Sequence, residues 1–297
     1  MSARRALSRL RYTSRIATGR LRLLPDFLII GAQRCGTSSL YRYLGAHPEI
    51  TSSTQKEVDY FSYAYDRGET WYRSHFPLRA RRSVERLLRR RGLLTFEATP
   101  FYLLDPRAPA RARRLLPDAK LIVLVRDPVG RAYSHYLHNL ALGHEPLSFE
   151  EAVDAEPFRV NGELQRMVED PTYQSVPLRR FSYVTRSLYV EQLERWLEEY
   201  PMEHLLVVKS EALYARTAEV FHDVLAFLDV SRWEPPRFRN FSSRRQAGSD
   251  RPNLSEATRG RLVDLFAPHN QRLSSLLDRE LGWEGNLEPG NGQSSVG

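Results

Sequence analysis

Asp26-Phe-Leu-Ile-Ile-Gly-Ala-Gln-Arg-Cys-Gly-Thr-Ser-Ser-Leu40 decides how this chain folds. Its opening apolar run, closed by Gly31, reads as a buried strand. Thr37 to Leu44 follows as a helix, with Gly45 and Pro48 as stop signals. Between strand and helix, Gly31 and Gly36 let backbone N–H groups curl around an anion, and the helix N-terminus adds its dipole and free donors. The spacing is that of the first half of a nucleotide-hydrolase phosphate loop, but Thr37 stands where that loop carries lysine. The basic group lies inside the loop instead, as Arg34. Because the missing lysine reaches β and γ phosphates and its hydroxyl neighbour holds magnesium, this loop suits a shorter phosphate arm without a metal. Taken alone, it also reads as an ordinary strand-to-helix turn.

A second segment of the same shape lies further along. Lys120-Leu-Ile-Val-Leu-Val-Arg-Asp-Pro-Val-Gly-Arg-Ala-Tyr-Ser134 is a strand, a charged turn and a helix opened by Pro128. Arg126 falls at the strand's C-terminal end, where ligands of parallel sheets collect, and Ser134 lies about two turns into the helix. A guanidinium with a hydroxyl suits a phosphate monoester. By themselves Arg126 and Asp127 read equally as an exposed turn with a local ion pair. Further strands at Leu93 to Glu97 and His204 to Lys209 alternate with helices at Arg107 to Leu116, Val129 to Leu142, Ser148 to Ala155, Leu188 to Tyr200, Arg216 to Leu228 and Ser255 to Leu281. This alternation predicts an α/β fold with a mostly parallel sheet flanked by helices.

The chain has 297 residues, 41% hydrophobic and 27% charged, the composition of a folded globular protein able to build a large core. Its net charge of +8 is concentrated in residues 1–24, which hold seven arginines and no acid. The remainder is close to neutral, which argues against a whole-surface nucleic-acid binder. Residues 1–24 read as a disordered basic extension, with a targeting peptide or nucleic-acid arm as the alternative, and residues 286–297 as a disordered tail. A single cysteine, Cys35, excludes an internal disulfide, so a cytoplasmic location is expected. The longest apolar runs, Phe27 to Ile30 and Leu121 to Val125, fall far short of the roughly 20 residues of a membrane span. Arginine outnumbers lysine 41 to 3, as a GC-rich, bacterial coding bias would give.

Together the two loops resemble those of sulfotransferases that use 3′-phosphoadenosine 5′-phosphosulfate, most closely the heparan sulfate glucosaminyl 3-O-sulfotransferase branch. The resemblance runs from about Asp26 to Trp283. It includes Lys56-Glu57-x-x-Tyr60-Phe61, Glu97-Ala-Thr-Pro100, Ser187-Leu-Tyr189 and the end from Phe266-Ala-Pro-His-Asn270 to Gly282-Trp283. It implies a P-loop-like three-layer sandwich over residues 25–285. It further implies that Arg34 stands for the loop lysine, that Cys35, Gly36, Thr37 and Ser38 cradle the phosphosulfate, and that Arg126 with Ser134 holds the 3′-phosphate. Arg251 and, more weakly, Arg244 and Arg245 match the C-terminal 3′-phosphate loop, and Glu57 matches the catalytic base. Ser38, Asp59, Ser62 and Ala98 depart from that branch at positions facing the sulfonate or the sugar, which bears on the acceptor and leaves donor binding intact.

The implied reaction is an in-line displacement in which positioning and electrostatics do most of the work. Glu57 would take the acceptor's proton, Lys56 supplies a neighbouring positive charge that can touch the sulfonate, and Arg34 would meet the charge developing on the leaving phosphate. The expected partner is a small-molecule or glycan acceptor, with no nucleic acid and no metal. A P-loop kinase and a noncatalytic polyanion-binding protein are the competing readings. Glu97 is an outside candidate for orienting the acceptor. The aromatic cluster from Tyr60 to Tyr72 reads as either an acceptor platform or core, and Arg79 to Arg91 as either a polyanion clamp or a solvated basic helix. His135, His138 and His144 lack zinc-site spacing.

Overall fold

The computed structural model describes residues 12–89, 92–241 and 254–283. Five strands form one parallel sheet: β1 (Phe27–Gly31), β2 (Ile50–Ser52), β3 (Leu94–Ala98), β4 (Lys120–Val125) and β5 (Leu205–Lys209). Their spatial order is β2-β3-β1-β4-β5. Strands covered by helices on both faces lose the alternating pattern, which is why Phe27 to Ile30 and Leu121 to Val125 are unbroken apolar runs. Their side chains are 0–1% exposed. Phe27 stacks on its register partner Phe96 with ring centroids 4.8 Å apart.

The chain leaves β1 towards β2 and β3 on one side and later crosses to β4 and β5 on the other. This reversal beside β1 creates a crevice beyond the C-terminal strand ends, the place where open parallel sheets bind ligands. Helices that open on this crevice include α2 (Thr37–Ala46), after β1, and α6 (Pro128–Ala141), after β4, and the short helix Ser210–Ala215, after β5, also lines it. The expected α/β class and parallel sheet are therefore observed. β2 has only three residues, too few to register as a period in sequence.

Residues 12–24 differ from their expected disorder. A short helix, α1 (residues 12–17), and a 3-10 turn, Gly19–Leu21, pack on the body. Arg15 donates from Nε to the Ser74 carbonyl (2.6 Å) and from Nη2 to that of Phe76 (2.9 Å). Arg22 is 8% exposed and reaches the same Phe76 carbonyl at 2.8 Å. A guanidinium's several donors can satisfy carbonyl oxygens in a fold, so a run of arginine need not be solvated.

Candidate functional site

The loop between β1 and α2 forms one wall of a cavity of about 650 Å³ at the sheet's C-terminal edge. Arg34, Gly36, Thr37 and Ser38 line it, together with Lys56, Glu57, Arg126 and Ser134. Eight of the twelve residues expected at the site thus line one cavity. Gly36 caps α2 with φ of +96°, a left-handed backbone that favours glycine, and a Cβ there would lie 3.0 Å from the Tyr214 hydroxyl. No side chain caps α2, an arrangement that suits its first-turn N–H groups to an anion.

Arg34 adopts φ of +71° and Glu57 φ of +62°. Non-glycine residues held in this region cost about 1–3 kcal/mol each and cluster at functional sites. Arg34 Nε donates to Ser134 Oγ at 3.2 Å, joining the two phosphate loops. Burial, then the nearby Arg126 and Arg131 guanidiniums, pulls the Arg34 guanidinium below its ordinary pKa. Such crowding of like charge beside a free helix N-terminus fits a ligand that carries several negative charges.

The second loop is built differently. Asp127 caps α6, its Oδ2 accepting from Gly130 N at 2.8 Å, and its own N–H donates to Glu211 Oε1 at 2.9 Å. The α6 terminus therefore carries a side-chain cap that α2 lacks, and Arg126 and Ser134 are the groups by which this loop brings hydrogen-bond donors to the cavity wall. A Cβ on Gly130 would sit 3.3 Å from Arg126 Nη2, so glycine leaves space for that guanidinium. On the opposite lip, Lys56 Nζ donates to Glu57 Oε1 at 2.7 Å, and the Glu57 side chain is half exposed. The Glu57 backbone is anchored to the end of β3 by N–H donation to the Ala98 carbonyl at 2.9 Å.

Several residues are placed differently from their sequence reading. Cys35 belongs to the loop through its backbone only: its thiol is fully buried against Tyr189 Oη at 3.7 Å. Burial pushes that thiol up to about 11, so it is not a reactive group on the cavity wall. Glu97 is fully buried and accepts from Tyr72, Tyr102 and Thr99 hydroxyls, all within 2.9 Å. It is a core hub, not an acceptor-facing group. Tyr60 and Tyr72 stack at 4.2 Å with both rings buried, which assigns that part of the aromatic cluster to the core. Arg244, Arg245 and Arg251 lie outside the described residues.

Other contributors have weak sequence signals. Arg131 and Arg186 are buried beneath the loop; Arg131 Nε donates to Ser187 Oγ at 2.6 Å and Arg186 Nη1 to Gln33 Oε1. Burial, reinforced by Arg131, brings Arg186 down to about 9. Arg131 is near enough to act electrostatically on Arg34. His138 lines the cavity one helical turn beyond Ser134, an i,i+4 relation readable in the sequence. Burial, then Arg34, lowers its pKa. Asp59, beside Glu57, is pushed up to about 6 by burial against the opposing pull of Arg179. Among the described residues there is no group of three or more metal-ligating side chains and no helix long and apolar enough to cross a membrane.

A parallel α/β sheet with an uncapped helix N-terminus and two converging basic loops has the architecture of a P-loop-like anion-binding fold. The family profile described as the sulfotransferase domain matches residues 24–247. Heparan sulfate glucosamine 3-O-sulfotransferase 3A1 of Mus musculus is 30% identical over 88% of this chain and 65% of its own length. The human heparan sulfate glucosamine 3-O-sulfotransferase 6 is 29% identical over 88% of this chain and 74% of its own length. The crystal structure of a sulfotransferase from Alicyclobacillus acidocaldarius matches with a TM-score of 0.65 and 32% identity, over 88% of this chain and 99% of that one. This chain belongs to the sulfotransferase family, transferases that move sulfonate groups. It spans just under two thirds of the mouse relative.

Proposed function

We propose that this chain transfers a sulfonate from 3′-phosphoadenosine 5′-phosphosulfate to a hydroxyl or amine of a saccharide or sugar-bearing metabolite. The observation that supports it most is the meeting of Arg34, Arg126 and Ser134 from two loops in one cavity whose far lip carries Lys56 and Glu57. In this reading the α2 donors at Gly36, Thr37 and Ser38, with the Cys35 backbone and Arg34, hold the 5′-phosphosulfate. Arg126 and Ser134 hold the 3′-phosphate, aided by Arg251, Arg244 and Arg245. Glu57 accepts the acceptor's proton as the new bond to sulfur forms, and Arg34 stabilises the charge left on the phosphate as the old S–O bond breaks. Lys56 steadies the Glu57 carboxylate by its 2.7 Å contact and faces the sulfonate. The transfer uses no metal and takes place in the cytoplasm.

Heparan sulfate names the substrate of the relatives. The departures at Ser38, Asp59, Ser62 and Ala98 argue against heparan sulfate as the acceptor of this chain and leave the proposed donor binding intact. The test is thermal stabilisation by adenosine 3′,5′-bisphosphate compared with ATP and magnesium, followed by a mass-spectrometric search for gain of one sulfonate in lysate fractions supplied with donor. Stabilisation by the bisphosphate supports the donor assignment. Stabilisation by ATP alone, with magnesium-dependent turnover, overturns it in favour of a kinase.

A further inference from the structure

Helix α4 (Arg79–Arg89) is turned inside out. An amphipathic surface helix ordinarily buries its apolar stripe and exposes its charges. In α4 the stripe at i, i+4, i+7 and i+8, Ala80, Val84, Leu87 and Leu88, faces outwards. Val84 is 51%, Leu87 81% and Leu88 74% exposed. The side turned towards the body carries Arg82 and Glu85, both only partly exposed, and Arg82 Nη2 donates to Asp26 Oδ2 at 2.5 Å. Leu78, just before the helix, and Leu21, beside it through the Arg22–Leu78 bridge, extend the apolar surface and are 40% and 64% exposed. Exposed Arg20, Arg79, Arg81 and Arg86 border it.

From this arrangement we infer that α4 and the adjoining turn at Gly19–Leu21 form a docking surface for an anionic lipid bilayer. Charge selects the partner. A two-fold contact with a second copy would set α4 against its own equivalent, arginine facing arginine. Residues 1–11 carry four arginines and no acid, so covering α4 with them would also bring like charges together. A sulfated glycan or nucleic acid would pair with the arginines and leave the leucines in water. A bilayer with anionic headgroups answers both, taking leucine into the acyl boundary and arginine at the headgroups. Arg82 ties α4 to Asp26, ahead of β1, at the sheet's N-terminal edge, whereas the cavity lies at the C-terminal edge. Docking through α4 therefore leaves the cavity open to water.

Flotation of the full chain with phosphatidylcholine vesicles, with and without phosphatidylglycerol, tests this surface independently of sulfonate transfer. The expected result is binding to the mixed anionic vesicles that weakens with salt and is slight with phosphatidylcholine alone. L87Q/L88Q, which leaves the charge unchanged, is expected to weaken vesicle binding by about tenfold or more, the order set by withdrawing two leucines from apolar contact. R81Q/R86Q is expected to reduce both the binding and its salt dependence. An unchanged far-ultraviolet circular dichroism spectrum and a cooperative thermal transition show that the variants are folded. Vesicle binding insensitive to L87Q/L88Q overturns the proposal in favour of a polyanion site. A wild-type dimer that L87Q/L88Q disperses, with no vesicle binding, overturns it in favour of self-association.

Discussion

Arg34 and Ser134, one hundred residues apart, are joined by a 3.2 Å hydrogen bond from guanidinium Nε to hydroxyl Oγ. The bond ties the turn after β1 to the helix after β4. S134A removes Arg34's acceptor together with a hydroxyl proposed for the 3′-phosphate. Affinity for adenosine 3′,5′-bisphosphate by calorimetry is expected to fall by about tenfold to a hundredfold, the worth of one hydrogen bond to a charged group. Affinity for adenosine 5′-phosphate should fall much less, and equal losses would mean that Ser134 does not read the 3′ end.

Glu57 is half exposed on the cavity lip and stands apart from the proposed phosphate contacts. E57Q is expected to lower turnover by about 10²- to 10⁴-fold, the usual value of acid–base assistance, with bisphosphate affinity preserved. Unchanged turnover would remove Glu57 from the chemistry, and loss of bisphosphate binding would make it a donor ligand.

Cys35 gives a chemical test of how the loop is built. The thiol is fully buried and pushed up to about 11 by burial, so a thiol reagent should leave the native protein unlabelled and its bisphosphate binding unchanged. Labelling should appear only when the chain unfolds. Fast modification of the native protein, read by mass spectrometry, would contradict this placement.

Glu97 sets a pH dependence of stability. Burial raises its folded value to about 7 from an ordinary 4.5, so between these values the folded state binds more proton than the unfolded one. Its contribution is therefore fully present below pH 4.5 and lost as pH rises through 7. E97Q, which cannot ionise, should flatten the Tm-against-pH curve in that interval. An unchanged curve would show that other groups set the slope.

Four of the five strands are legible in the sequence: β1, β4 and β5 as continuous apolar runs ended by glycine or a charged residue, and β3 as a short stretch in which Thr95 and Glu97 interrupt the apolar residues. Arg34, Arg126 and Ser134 follow from position alone, since strand ends and the next helical turns face the crevice of a parallel sheet. Arg131 and Arg186 are another matter. Their burial depends on carbonyl and hydroxyl partners such as Ser187 and Gln33, brought together only by tertiary packing. Glu97 misleads for the converse reason: a carboxylate at a strand end looks like a site group until three hydroxyls are found surrounding it in the core. The packing of residues 12–24 on the body is hidden because composition does not reveal which arginines will find carbonyl oxygens.

The contrast between an uncapped α2 and an α6 already capped by Asp127 divides the two phosphate grips by material. In the proposed complex the 5′ end is held largely by main chain, which substitution scarcely alters. The 3′ end is held by side chains, which substitution can exchange one at a time. Variation in this fold can therefore redirect which isomeric nucleotide is accepted while the transfer geometry is inherited intact.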